Sequence, residues 1–143
     1  MIIRAWEEKD ILQIAEIEGR CFSDPWSVVS FEDILKYPLH HSFLAEEEGK
    51  ICAYACLLVL FEDAEVENIA VDLPYRGRGI AKKLMDAMHE KAKTLGAKRC
   101  LLEVRVSNLS AVSLYEKYGY EKYGVRKRYY EDGEDAFVMQ KNL

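Results

Sequence analysis

The sequence predicts an α/β fold built on one mixed sheet, and three observations carry the prediction. Segments with strand-like and helix-like apolar periods follow one another in the order β-α-α-β-β-β-α-β-α-β-β. An unbroken apolar run, Ile51 to Phe61, has the composition of a central strand buried on both faces. The length, 143 residues, suits one domain over residues 1–143 that buries roughly 68–70% of its unfolded surface and so holds a core without staples.

Ile2 to Ala5 reads as a short first strand. From Asp10 to Cys21, apolar Ile11, Ile14, Ala15 and Ile17 recur at helical spacing, with acids in the first turn where the helix dipole favours them. Ser23-Asp24-Pro25-Trp26-Ser27 breaks that helix and offers Ser27 as an N-cap. Val28, Phe31, Ile34 and Leu35 then line one face of a second helix that ends before Pro38. Ser42 to Ala45 and Lys50 to Phe61 flank Glu48-Gly49 as a hairpin. Ala64 to Val71 is a strand with a change of phase: Val66 and Asn68 alternate with Glu65 and Glu67, yet Ile69 and Val71 take the glutamates' places. A bulge near Asn68 is the favoured account; burial of both faces at the strand's end would serve as well.

After Arg76-Gly77-Arg78-Gly79, a third helix turns Ile80, Leu84, Ala87, Met88, Ala92 and Leu95 inward and is capped by Gly96. Arg99 to Val106 is a strand, Ser107-Asn108 a turn or N-cap, and Ser110 to Tyr118 a short helix stopped by Gly119. Tyr120 to Tyr130 and Ala136 to Met139 close the chain as strands around Glu131-Asp132-Gly133. His40 and His41 fall in a loop and His89 on a helix surface, and none receives a role.

Composition narrows the function. Half the residues are apolar and 31% charged, with 8 Gly and 3 Pro, which excludes disordered and collagenous chains. The longest apolar run falls well short of the ~18 residues of a membrane helix. Charges at Arg4, Glu7 and Glu8 interrupt any signal-peptide core, so a cytosolic protein with no membrane partner is expected. Cys21, Cys52, Cys56 and Cys100 form no CxxC pair and predict buried, reduced thiols rather than a metal site. A net charge of −5 argues against direct nucleic-acid binding. Two basic clusters remain for anions: Arg76, Arg78, Lys82 and Lys83, then Arg126, Lys127 and Arg128.

A strand, a glycine-rich turn and a helix in that order gather free N–H groups and the positive helix end around one point. Glycines at 77 and 79 let a phosphate approach the backbone. A P-loop requires GxxxxGK[ST], but Gly79 is followed by Ile80-Ala81-Lys82-Lys83. A dinucleotide fingerprint requires a third glycine where Lys82 stands. A turn that merely reverses the chain is the plain alternative.

The run Arg76-Gly77-Arg78-Gly79-Ile80-Ala81 resembles the R/Q-x-x-G-x-G/A signature of the GNAT acetyltransferases, with Ala81 where glycine is common. The resemblance extends over essentially the whole chain, through Asn68-Ile69-Ala70-Val71, Asn108-Leu109-Ser110-Ala111 and Leu114 to Tyr120. Phe22 to Ser27, Leu102-Glu103-Val104-Arg105, Arg126 to Tyr130 and Glu134-Asp135-Ala136 are similar to the RimI-type ribosomal-protein-alanine N-acetyltransferases within that superfamily. The resemblance implies a GNAT fold whose seven-stranded sheet is splayed at its centre and flanked by four helices. It implies acetyl-CoA as co-substrate, no metal, a protein N-terminus as acceptor, and a monomer or weak dimer. Ile69, Ala70, Val71, residues 76–82 (Arg76, Gly77, Arg78, Gly79, Ile80, Ala81, Lys82) and Asn108 would then bind the cofactor.

The chemistry can be set against residue types. An α-amine, pKa ~7.7–8.0, must lose a proton before attacking a thioester, and a lysine at ~10.4 would cost on the order of 3.5 kcal/mol more. A base is required, and Glu103 is the candidate: it interrupts Leu101-Leu102 and Val104, and a carboxylate among apolar neighbours suits proton acceptance. The alternative is an exposed glutamate paired with Arg105 or Lys98. In the GNAT pattern Tyr115 is the acid that protonates the departing thiolate; without the resemblance it reads as a packing residue. Asn108 is either a cofactor contact or a plain N-cap. Trp26, Tyr129 and Tyr130 would wall the peptide slot with Arg126 nearby, or simply pack.

Overall fold

The apolar run does form the middle of the sheet. In the computed structural model, which describes residues 1–143, strand β3 (Lys50–Leu60) lies between β2 (His40–Glu47) and β4 (Asp63–Val71) and is buried on both faces. The other elements are β1 (Ile2–Arg4), α1 (Ile11–Cys21), α2 (Val28–Lys36), α3 (Ile80–Thr94), β5 (Arg99–Arg105), α4 (Leu109–Lys117), β6 (Glu121–Arg126) and β7 (Ala136–Asn142). The seven strands stand in the order β1-β2-β3-β4-β5-β7-β6. Only β4 and β5 run parallel, joined by the crossover through α3. No helix is long and apolar enough to cross a membrane.

Two cores flank the sheet. On one side α3 sets Ile80, Leu84, Met85 and Met88 against Ala53, Ala55 and Leu57 of β3, and α4 adds Val112 and Tyr115. On the other, α1 and α2 bring Ile11, Ile14, Ile17, Phe31 and Ile34 onto Trp6, Tyr54 and Ala70. Alternation along β3, with Tyr54 and Cys56 to one side and Ala55 and Leu57 to the other, is the period-two geometry of a strand that serves both. Ser27 caps α2 by accepting from the Ser30 amide at 3.2 Å, and Gly96, at φ 91°, follows the end of α3.

The expected bulge is present. Opposite Cys56 and Leu57 of β3 stand Asn68 and Val66, so Glu67 is the extra residue. Ahead of it Ala64 and Val66 face α3; beyond it Asn68 and Ala70 face α1, and Ile69 and Val71 turn toward α3.

Several expectations need correction. His40 and His41 lie on β2, not in a loop. His89 is buried, with Nε2 2.6 Å from the Tyr120 hydroxyl, because α3 packs a wider face than expected. Leu95 is exposed at the end of that helix, and on α2 only Phe31 and Ile34 are buried while Val28 and Leu35 stay at the surface. The sixth strand stops at Arg126 instead of reaching Tyr130. Arg128 takes φ 50° and its amide donates to Asp135 Oδ1 at 2.9 Å, which turns the chain out of the ladder. The last strand runs on to Asn142.

Candidate active site

The bulge opens the sheet. Pairing between β4 and β5 covers only Asp63–Val66 against Arg99–Leu102, and beyond that the strands diverge. The Asp72 amide donates to the Cys52 carbonyl at 2.8 Å, which makes Val71 and Ala53 a non-hydrogen-bonded pair. The N–H and C=O of Val71, and by the same alternation those of Ile69, therefore point away from β3 and into the gap. A cleft of about 1070 Å³ runs along it, lined by residues 66–71 of β4, 102–105 of β5, the glycine turn and α4.

The turn sits at the cleft's mouth. Gly77 and Gly79 adopt φ of 80° and 75°, a left-handed conformation in which L side chains are strained. A Cβ on either would meet nothing within 4 Å, so the protein itself leaves that space open. Gly79 is the N-cap of α3, whose first amides are free to meet an anion. Gly77, Gly79, Ile80, Ala81 and Lys82 line the cleft, as do Ile69, Ala70 and Val71. Of the two arginines, Arg76 lines the cleft and Arg78 does not. Arg76 Nε donates to the Val71 carbonyl at 2.9 Å and braces the end of β4. Arg78 stacks on Tyr75 at 5.4 Å and lies 3.7 Å from Glu47, outside the cleft lining.

Glu103 lies on β5 opposite Val138 of β7, its side chain 14% exposed. Its partner is Arg126, Nε to Oε1 at 3.3 Å, and neither Arg105 nor Lys98. Oε2 is buried without a hydrogen bond, an acceptor held in reserve. Its charge is felt nearby. The Tyr129 phenol is pushed up to about 12, first by interaction with the Glu103 carboxylate and then by burial. Burial, reinforced by Glu103, also raises Glu65 above its usual range.

Tyr115 lies buried on α4, its ring against the edge of Tyr120 at 5.9 Å, and it lines the same cleft. Burial pushes its phenol up to about 12, so it stays protonated throughout the neutral range. Asn108 is the N-cap of α4, accepting from the Ala111 amide at 3.2 Å, and it also faces the cleft. The N-cap alternative is the one observed.

Trp26 packs on Phe31 at 5.4 Å between centroids while bordering the cleft. Tyr130 borders it too; Tyr129 stands outside, half exposed, with Arg126 6.0 Å from its ring. Thus Glu103, Tyr115, Asn108, Trp26 and Tyr130 share one cleft with the glycine turn and β4, and Arg126 and Tyr129 join through Glu103.

Glu18, missed in the sequence, organises the floor. It is 2% exposed and accepts from the Tyr54 hydroxyl at 2.5 Å, Asn68 Nδ2 at 2.9 Å and the Trp26 amide at 2.9 Å. One carboxylate thus ties α1 to β3, to the bulge and to the loop that carries Trp26. The available signal was spacing, since Glu18 continues the stripe of Ile11 and Ile14, where a charged residue must find partners. Cys21 differs from the expectation of burial: it is only half-buried and borders the cleft, while Cys52, Cys56 and Cys100 are buried and unbonded.

A parallel sheet centre opened by a bulge, with a glycine-capped helix at its mouth, defines the class: this chain belongs to the GNAT family of acetyltransferases, whose family model matches residues 11–120. It is an N-acetyltransferase. It is similar to the [ribosomal protein bS18]-alanine N-acetyltransferase of Escherichia coli (strain K12), 33% identical over 140 residues covering 96% of this chain and 94% of that one. A Bacillus subtilis (strain 168) protein that bears the same name provisionally is 38% identical over 139 residues, 96% of this chain and 92% of its own. The crystal structure of the ribosomal-protein-S18-alanine N-acetyltransferase from Escherichia coli superposes with a TM-score of 0.91 at 32% identity, covering 99% of this chain and 93% of that one.

Proposed function

We propose that the protein transfers the acetyl group of acetyl-CoA directly to a protein N-terminal α-amine, that of an alanine-starting ribosomal protein, with Glu103 as base and Tyr115 as acid. The observation that carries this reading is the divergence of β4 from β5 beyond Val66. It leaves two strand-edge N–H groups, Ile69 and Val71, facing a cleft that has an anion-binding helix end at one side and a buried, unpartnered carboxylate oxygen at the other.

The residues present fit acetyl-CoA. The free amides of residues 79–82 and the Lys82 ammonium suit its diphosphate. The Ile69 main chain and the Val71 N–H offer a strand edge to the amide-bearing arm, as an added strand would take, the Val71 carbonyl being held by Arg76. The cofactor supplies an activated acetyl thioester. The Val71 N–H, aimed into the gap, is placed to stabilise developing charge on the acetyl oxygen. Glu103 Oε2 takes the proton of the incoming ammonium, directly or through one water. Tyr115 would donate its proton to sulfur as the C–S bond breaks, the second proton lost from nitrogen as the amide forms would return through solvent to the tyrosinate, and burial keeps the phenol neutral and protonated between turnovers. Trp26 and Tyr130 flank the acceptor, Tyr129 and Arg126 hold Glu103, and Asn108 presents its side chain to the cofactor.

Acetylation of an alanine-starting hexapeptide, spermidine and a lysine-containing peptide, followed by release of free thiol, tests the proposal. The hexapeptide should carry the highest kcat/KM. A preference for spermidine or lysine would overturn the acceptor assignment, and cofactor binding without thiol release on any amine would overturn catalysis. In cells, loss of N-terminal acetylation on a ribosomal protein when the gene is removed is the expected result by mass spectrometry.

A further inference from the structure

The sequence offers Arg105 as a possible ion-pair partner of Glu103 and as the end of the Leu102-Glu103-Val104-Arg105 resemblance, yet it is the residue on which two loops beside the proposed acceptor slot converge. It lies two residues beyond Glu103 on β5 and so on the same face of the sheet. Its Nη1 donates to Asp132 Oδ2 at 2.8 Å and to Glu134 Oε1 at 2.9 Å, both in the loop between β6 and β7 that carries Tyr130. Its Nη2 lies 3.0 Å from Asp24 Oδ2, in the loop between α1 and α2 that carries Trp26. The guanidinium carbon sits 4.0 Å from the centre of the Tyr130 ring. The side chain is 20% exposed.

We propose that Arg105 is a positioning residue whose single guanidinium clamps the two loops at a fixed spacing, and that this spacing selects a small first side chain in the acceptor. The inference rests on the acceptor reading above. Three carboxylates from two loops meet at one cation. Without the cation, Asp24 would face Asp132 and Glu134 as like charges, and the walls would part. The planar fork matters as much as the charge. Nη1 donates to both carboxylates of one loop while Nη2, which makes no hydrogen bond, faces the carboxylate of the other as an ion pair, a division that a lysine, as a point charge, cannot reproduce. The far ends are themselves fixed. Glu134 Oε2 accepts from the Ser107 amide at 2.8 Å, and the Trp26 amide is held by buried Glu18 at 2.9 Å. Movement of either wall is therefore movement about Arg105. A slot of set width rejects a larger side chain by clash, which is the means by which a pocket with few polar contacts discriminates.

Two measurements on the full chain test the clamp. In the first, Arg105→Lys and Asp24→Asn are assayed with acetyl-CoA and two hexapeptides that differ only in alanine or leucine at the first position. KM for the alanine peptide should rise about tenfold, with KM for acetyl-CoA and saturated kcat nearly unchanged, and the leucine-to-alanine ratio of kcat/KM should rise by about tenfold or more. Equal rises in both KM values, or an undiminished alanine preference, would overturn the proposal. In the second, amide hydrogen exchange is followed in Asp24→Asn. Exchange should quicken at residues 127–135, on the opposite wall, as well as at 22–27. Quickening confined to 22–27 would refute the clamp even if the enzyme proved to use another amine, whereas a wild-type protein inactive on both hexapeptides would defeat the acceptor reading and leave the exchange result to judge the clamp.

Discussion

Glu103 is short of partners by one oxygen, and that deficit sets what its replacement should do. Glu103→Gln keeps the shape and removes the base of the proposed mechanism, so turnover on an N-terminal peptide should fall by about 10²–10⁴-fold near neutral pH. The defect should shrink as pH rises past the ~7.7–8.0 of the α-amine, which then sheds its proton unaided. The same variant has a spectroscopic mark. The Glu103 carboxylate disfavours a phenolate beside it, so in Glu103→Gln the Tyr129 ionisation should move down from about 12 toward its ordinary value near ~10, read as a difference in ultraviolet titration. Tyr115→Phe removes a hydroxyl that lies at the cleft, and kcat should fall while thermal unfolding changes little. An unaltered rate would remove Tyr115 from the mechanism. Glu103 and Tyr115 could be picked out in the sequence because a family pattern pointed at them, whereas Glu18 and Arg105 act through contacts with residues 8 to 81 positions away that no local pattern records.

At the level of elements, β4 is where sequence and structure correspond most closely. The exchange of phase between Glu65, Glu67 and Ile69, Val71 is a period-two signal with one residue inserted, and the ladder inserts Glu67 there. The end of β6 was not legible, because Lys127 to Tyr130 have strand-like composition and leave the sheet only when Asp135 captures the Arg128 amide. Helix α3 illustrates a different limit. Its apolar residues mark a narrow stripe, but the helix lies over Ala53, Ala55 and Ala64 of the sheet and buries His89 and Met85 as well. The α1 segment carries the stability prediction of this scale. Glu18→Ala would strand the Tyr54 hydroxyl, the Asn68 amide and the Trp26 N–H together, which at about 1–3 kcal/mol for each unsatisfied group amounts to about 3 kcal/mol or more. Denaturant unfolding measures it, and a loss below about 1 kcal/mol would mean that water or a neighbour replaces the carboxylate.

Across the whole molecule, the buried imidazole gives folding a pH dependence. Burial holds His89 below its ordinary value; Lys141 and Lys93 add to the effect, Asp86 opposes it, and the Tyr120 hydroxyl meets Nε2. The unfolded chain takes up a proton near ~6.5 that the folded chain refuses, so this stability is complete above that pH and is lost as pH falls through the lower folded value, at up to about 1.4 kcal/mol per unit. His89→Gln should flatten the dependence of Tm on pH between neutrality and mild acid, and an unchanged slope would assign it to the carboxylates. Fold class, strand count and helix count could all be read from periodicity, since most elements bury one patterned face; the two cores and their division of β3 could not, because an apolar run has no phase.

The unzipped centre of the sheet has a kinetic consequence. A gap that passes between two strands is a passage with two doors, one beside α3 and α4 and one beside α1 and α2, so donor and recipient need not take turns at a single entrance. Both can be aboard before any bond changes hands, and initial-rate plots should therefore intersect rather than run parallel.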